Sequence, residues 1–65
     1  QPVFIINISN PNGLEVLEKT VDFLEEEIKA VPGVLDVRIS GKLTRELEIA
    51  LDPARLKHYG FAIED

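Results

Sequence analysis

An α+β fold, running strand–helix–strand–strand with a short C-terminal helical turn, is predicted by three features of this 65-residue chain. Apolar and polar residues alternate over two late stretches, with Leu35, Val37 and Ile39 apolar in one and Leu47, Ile49 and Leu51 in the other. Ahead of them, Leu14, Leu17, Val21, Leu24, Ile28 and Val31 recur at steps of three and four. The chain opens on a β-branched and aromatic run, Val3–Ser9. A period of two marks a strand with one face on a core, and a period near 3.6 marks an amphipathic helix.

In the first strand, Phe4, Ile6 and Ile8 share one face and Val3, Ile5, Asn7 and Ser9 the other. Because Val3 and Ile5 are also apolar, cover on both sides is expected at its start. Asn7-Ile8-Ser9 has the form of a glycosylation acceptor, but inside a strand it reads as structure. Asn10-Pro11-Asn12-Gly13 is a loop by composition. Asn12 with Glu15 three residues on forms a capping-box pattern that predicts the helix start. Pro32-Gly33 ends the helix after about five turns. Its polar side carries Glu15, Glu18, Asp22, Glu25, Glu26 and Lys29. Val16, Phe23 and Ala30 form a second stripe at heptad spacing. Two readings stand for it: a widened core face, or contact with a neighbouring domain or a second copy.

All the apolar residues of the two late strands carry odd numbers, so same-face partners sum to an even number and the loop holds an odd count. This predicts Val37 opposite Ile49 and Arg38 opposite Glu48, with Gly41–Arg45 as the loop. Asp52 at an N-cap, Pro53 at the first helical position and Gly60 at the end define the terminal turn. Leu56, Tyr59, Phe61 and Ile63 are expected to form a satellite cluster beside it.

A right-handed crossover leaves a gap between the first two strands, and the third fills it antiparallel. The result is a partial ferredoxin-like split β-α-β-β unit with the helix across one sheet face. A complete unit would add a helix and a fourth strand beside the first. The first strand therefore keeps an open edge, and self-association is expected through it or through the Val16, Phe23 and Ala30 flank. The chain has no methionine and opens almost directly on a strand, so it is expected to be a piece of a longer protein.

Composition narrows the functions. A domain this small buries only about 60% of its unfolded surface. No cysteine staples it and its single histidine cannot build a structural metal site. The formal net charge of −5 argues against nucleic acid or an anionic membrane as partner. No apolar run approaches the ~20 residues of a membrane span. Catalytic constellations are absent: Ser9 and Ser40 lie in no nucleophile motif, His58 sits alone beside Lys57, and Glu25-Glu26-Glu27 point in different directions around a helix. The expectation is a chain that is not an enzyme and holds no cofactor.

A specific resemblance emerges over Pro32-Gly33-Val34-Leu35-Asp36-Val37, Ser40-Gly41, Arg45-Glu46-Leu47-Glu48-Ile49, Asp52-Pro53-Ala54-Arg55-Leu56 and Tyr59-Gly60. Order and spacing together resemble the periplasmic porter region of resistance–nodulation–division (RND) efflux transporters, of the acriflavin-resistance, hydrophobe/amphiphile type. The similarity extends upstream to Phe4–Ser9 and so covers nearly the whole chain. It implies part of a proton-driven, multidrug-exporting inner-membrane homotrimer that works with an adaptor and an outer-membrane channel. Residues 1–41 would be the first half of the second N-terminal porter subdomain, and 42–65 would begin the docking domain. The chain would then contact the remaining porter and docking subdomains, lie in the periplasm, and transport nothing alone. Ser40 and Lys42 match positions bordering the drug pocket, and Ile5 is a further lining candidate. A bulky aromatic often stands where this chain has Ser40, so the resemblance implies a different or more polar substrate.

Two other readings compete. The helix ending in Gly-Val before alternating strands is similar to heavy-metal-associated domains, but those need a Cys pair where this chain has Asn10–Gly13. A ligand-sensing regulatory or interaction module that pairs through sheet edges is the alternative from another functional class.

Overall fold

A computed structural model describes residues 2–60. Along the chain run β1 (Val3–Ile8), α1 (Leu14–Lys29), β2 (Val34–Ser40), β3 (Arg45–Leu51) and α2 (Pro53–His58). The three strands form one sheet in the order β1-β3-β2, with β3 antiparallel to both neighbours. The last strand thus fills the gap left by the crossover, and the α+β, split β-α-β-β expectation holds.

The hairpin register follows the parity argument, with Val37 opposite Ile49, Arg38 opposite Glu48 and Ser40 opposite Glu46 as the last pair. Arg45 lies beyond that pair but already faces Ile8 of β1, so β3 begins one residue earlier on its β1 side. Gly41 turns the chain at a φ of +95°, and a side chain there would run into the Thr44 carbonyl oxygen. The Arg45 guanidinium donates to the Gly41 carbonyl and pairs through Nε with Glu18 Oε1 at 3.3 Å, tying the loop to α1.

Seven side chains form the buried core: Leu17 and Val21 of α1, Val37 of β2, Leu47, Ile49 and Leu51 of β3, and Leu56 of α2. Ile8, Leu24, Ile28, Val34 and Ile39 pack around them. β3 supplies three because it alone is paired on both edges and lies beneath the helix layer.

Several expectations are corrected. The Asn12–Glu15 capping box does not form; α1 starts from Gly13 with no side-chain cap, while Asn10 Oδ1 accepts the Asn12 N–H at 2.8 Å and turns the loop instead. The helical stripe is buried only in its middle, leaving Leu14 and Val31 exposed. Leu35 does not join Val37 and Ile39. The pairing sum changes from 85 at Val34–Leu51 to 86 at Asp36–Ala50, so Leu35 is the extra residue of a β-bulge, with Val34 packed against the core in its place. Phe4 and Ile6 face Ile49 and Leu47 across the ladder, hence the helix side, yet Phe4 is 55% exposed. One helix is too narrow to cover three strands and leaves Phe4 and Ile6 of β1 bare, while Ile8 packs at the edge of the core.

Leu56 belongs to the main core rather than to a satellite cluster, and Tyr59 is exposed; Phe61 and Ile63 lie outside the described residues. The Asp52 cap is as expected, with Oδ1 accepting the N–H groups of Ala54 at 3.0 Å and Arg55 at 3.2 Å. The Asp52 N–H in turn donates to the Gly33 carbonyl at 2.7 Å, which seats α2 against the turn before β2.

Candidate functional site

The sheet face turned away from α1 is the candidate surface. Alternation places Ile5 and Asn7 of β1, Glu46, Glu48 and Ala50 of β3, and Asp36, Arg38 and Ser40 of β2 on it. Glu48 lies between Ile5 on one neighbour and Arg38 on the other. Arg38 Nε also stands 3.8 Å from Asp36 Oδ2 on its own strand. Asp36, Arg38 and Glu48, with Val3, Leu35 and Ala50, line a shallow depression of about 290 Å³. Its floor carries one guanidinium between two carboxylates, with Glu46 a further carboxylate along β3. The surplus is negative, and the rim is aliphatic. The Arg38–Asp36 pair is solvent-exposed, so it orients side chains rather than contributing much stability.

Of the three residues linked to a substrate path, Ile5 and Ser40 do share this face. They stand on opposite edges with β3 between them, roughly 10 Å apart laterally by strand spacing. Lys42 lies in the exposed loop between β2 and β3 and belongs to neither face. The Arg38–Glu48 pairing was legible from strand parity. The place of Val3 beside Ile5 followed from the same alternation, but the contribution of Leu35 did not, because the bulge reverses the side on which Leu35 emerges. Among the described residues, no three His, Asp or Glu side chains gather as a metal site, and His58 packs edge-on against Tyr59 at the surface.

The second candidate surface is on the helix side. Val16, Phe23 and Ala30 are all exposed, Phe23 at 62%, so they do not widen the core. The opposite flank of α1 carries Glu18, which meets Arg45 beside the β2–β3 loop, and Lys29, which feels Asp36 of β2. That flank faces β2. The Val16, Phe23 and Ala30 flank therefore lies on the β1 side, next to the bare Phe4 and Ile6. Lys29 itself is held above its ordinary value by its hydrogen bond and charge pairing with Glu25, at 3.1 Å.

Among the described residues, no helix is long and apolar enough to cross a membrane. No family model matches the chain, and no solved structure matches it. It is 31% identical over 62 residues to the cation efflux system protein CusA of Escherichia coli, in strain K12 and in O157:H7 alike. The matched stretch is 94% of this chain and 6% of each relative, so the chain spans a small part of the proteins it resembles. The similarity supports the RND resemblance at the level of the transporter family and as a fragment of such a transporter.

Proposed function

We propose that the chain is a periplasmic porter-domain segment of a proton-driven RND exporter. The carrying observation is the collinear identity with CusA over 62 residues. A split β-α-β-β layer with a bare edge and a bare helix-side face is consistent with a segment that other parts of a larger protein complete. In this reading residues 1–41 belong to the second N-terminal porter subdomain and 42–65 lead into the docking domain. The parent is a homotrimer of the inner membrane that engages an adaptor and an outer-membrane channel.

For cargo, the relatives' name points to cations and the sequence pattern to the multidrug branch. The open sheet face favours a polar cargo. Among the described residues it presents Asp36, Glu46 and Glu48 and no aromatic side chain, which gives a field attractive to cations and little to stack a planar drug upon.

The coding sequence on either side of these residues tests the assignment: apolar stretches of ~20 residues are expected in it, and a parent without them overturns the exporter reading. Expression of that parent in an efflux-deficient bacterium tests the cargo. Tolerance to metal cations that falls on Glu48→Gln supports cation export. Tolerance gained only to dyes and detergents refutes it in favour of the multidrug branch.

A further inference from the structure

The chain has three asparagines, and the residue after each one differs: Asn7-Ile8, Asn10-Pro11 and Asn12-Gly13. A backbone nitrogen that attacks the carboxamide carbon of the preceding asparagine closes a five-membered ring, so the following residue decides how durable that side chain is. Pro11 has no N–H to give up, which protects Asn10. Ile8 is branched at Cβ and paired with Arg45 in the ladder between β1 and β3, which crowds and fixes the nitrogen after Asn7. Gly13 has neither protection. It carries no side chain, and even a Cβ built there would meet nothing within 4 Å.

The local geometry exposes the same dipeptide. Asn12 and Gly13 both face solvent in the loop between β1 and α1. Two hydrogen bonds hold the turn: the Asn12 N–H donates to Asn10 Oδ1 at 2.8 Å, and the Gly13 N–H donates to the Asn10 carbonyl at 3.4 Å. The second lies at the long end of hydrogen bonding, so the Gly13 proton is weakly held. Neither bond uses the Asn12 carboxamide. Because α1 begins at Leu14, the Gly13 N–H serves no bond of the helix either.

We infer that Asn12 is a site of spontaneous modification, losing its carboxamide to attack by the Gly13 backbone nitrogen. That nitrogen gives its proton to solvent base and bonds to Asn12 Cγ, while the Cγ–Nδ2 bond breaks and ammonia leaves. The resulting succinimide takes up one water. Opening at Cγ gives aspartate, and opening at the Asn12 main-chain carbonyl gives isoaspartate. One water enters and one ammonia departs, with no change of oxidation state.

Either product adds one negative charge at the entrance to α1. The helix starts from Gly13 without a side-chain cap, and its positive N-terminal end favours an anion there, so the aspartyl form suits the fold. The isoaspartyl form routes the main chain through Cγ and lengthens it by one methylene between the Asn10 turn and α1. That displaces the Gly13 nitrogen from the Asn10 carbonyl.

The inference concerns one dipeptide and stands whether or not the exporter reading holds. The full-length protein that contains these residues is kept folded at physiological temperature and mildly alkaline pH, beside a denatured sample, and its peptides are mapped by mass spectrometry over time. Asn12 should convert roughly tenfold or more faster than Asn7 or Asn10, into two chromatographically separable isomers. Gly13→Ala crowds the attacking nitrogen and should slow the conversion roughly tenfold. Since alanine is strained at a φ of +104°, Asn12→Gln is the second variant; it keeps Gly13 and should abolish the conversion, because its ring would need a sixth member. A folded protein whose Asn12 stays intact while the denatured sample converts overturns the proposal. So does conversion at Asn12 no faster than at Asn7, or a rate that neither variant lowers.

Discussion

Gly33 sits where helix end, sheet and α2 converge, and replacing it with alanine examines that junction directly. Its φ of +100° is strained for an L-residue, at a cost of roughly 1–2 kcal/mol. A Cβ built there would also lie 2.6 Å from Leu56 Cδ2 and 2.7 Å from Leu56 Cγ. Leu56 is buried in the core, so it must move, sacrificing part of the ~2–5 kcal/mol that a core leucine is worth. Together Gly33→Ala should cost about 2–4 kcal/mol. A domain of this length has only ~3–10 kcal/mol in total, and each kcal/mol shifts Tm by about 4–8 °C, so Tm should fall roughly 8–32 °C by circular dichroism. Leu56→Ala removes the atoms that clash. The double variant should therefore be less destabilised, by about 1 kcal/mol or more, than the two single changes added. Additivity within ~0.5 kcal/mol, or an unchanged Tm for Gly33→Ala, would refute the steric reasoning.

Further outcomes are expected in dilute solution. Leu17→Ala, at a side chain only 1% exposed, should cost about 2–5 kcal/mol in denaturant unfolding, whereas Phe23→Ala should stay within roughly 0.5 kcal/mol. Asp52→Ala leaves the Ala54 and Arg55 N–H groups without their cap and should cost about 1 kcal/mol, with faster amide exchange confined to α2 and its seat on Gly33. The Lys29 ammonium should titrate above 10.5 by NMR, and Glu25→Gln should lower that value. Since its folded value is the higher one, the pair's contribution is complete below 10.5 and disappears as pH rises through the folded value; no loss belongs to the acid side from this group.

The order of elements, the strand pairing and the hairpin register were present in the amino-acid pattern because each rests on local periodicity. The parity of Val37, Ile39, Leu47 and Ile49 restricted same-face partners to even sums, and the chain adopts the expected register with Val37 opposite Ile49. The open face was partly legible on the same ground, since Arg38 against Glu48 is a consequence of that register. The start of α1 was not, because Asn12 and Glu15 have the spacing of a capping box and only the folded loop shows the Asn12 N–H held by Asn10 in a turn instead. Tyr59 likewise matched a satellite cluster by composition but stays outside the core that Leu56 joins.

Taken by itself, the sequence determined where strands and helices lie and which residues of β3 are core. Only the tertiary structure decided that Leu35 leaves the core face and that Phe4 and Ile6 remain bare. The reason is physical. Periodicity records which face of an element is apolar, but a bulge shifts that face by one residue, and the width of a single helix determines how many strands it covers. Neither a one-residue insertion in the ladder nor the lateral position of a helix leaves a periodic trace in the chain.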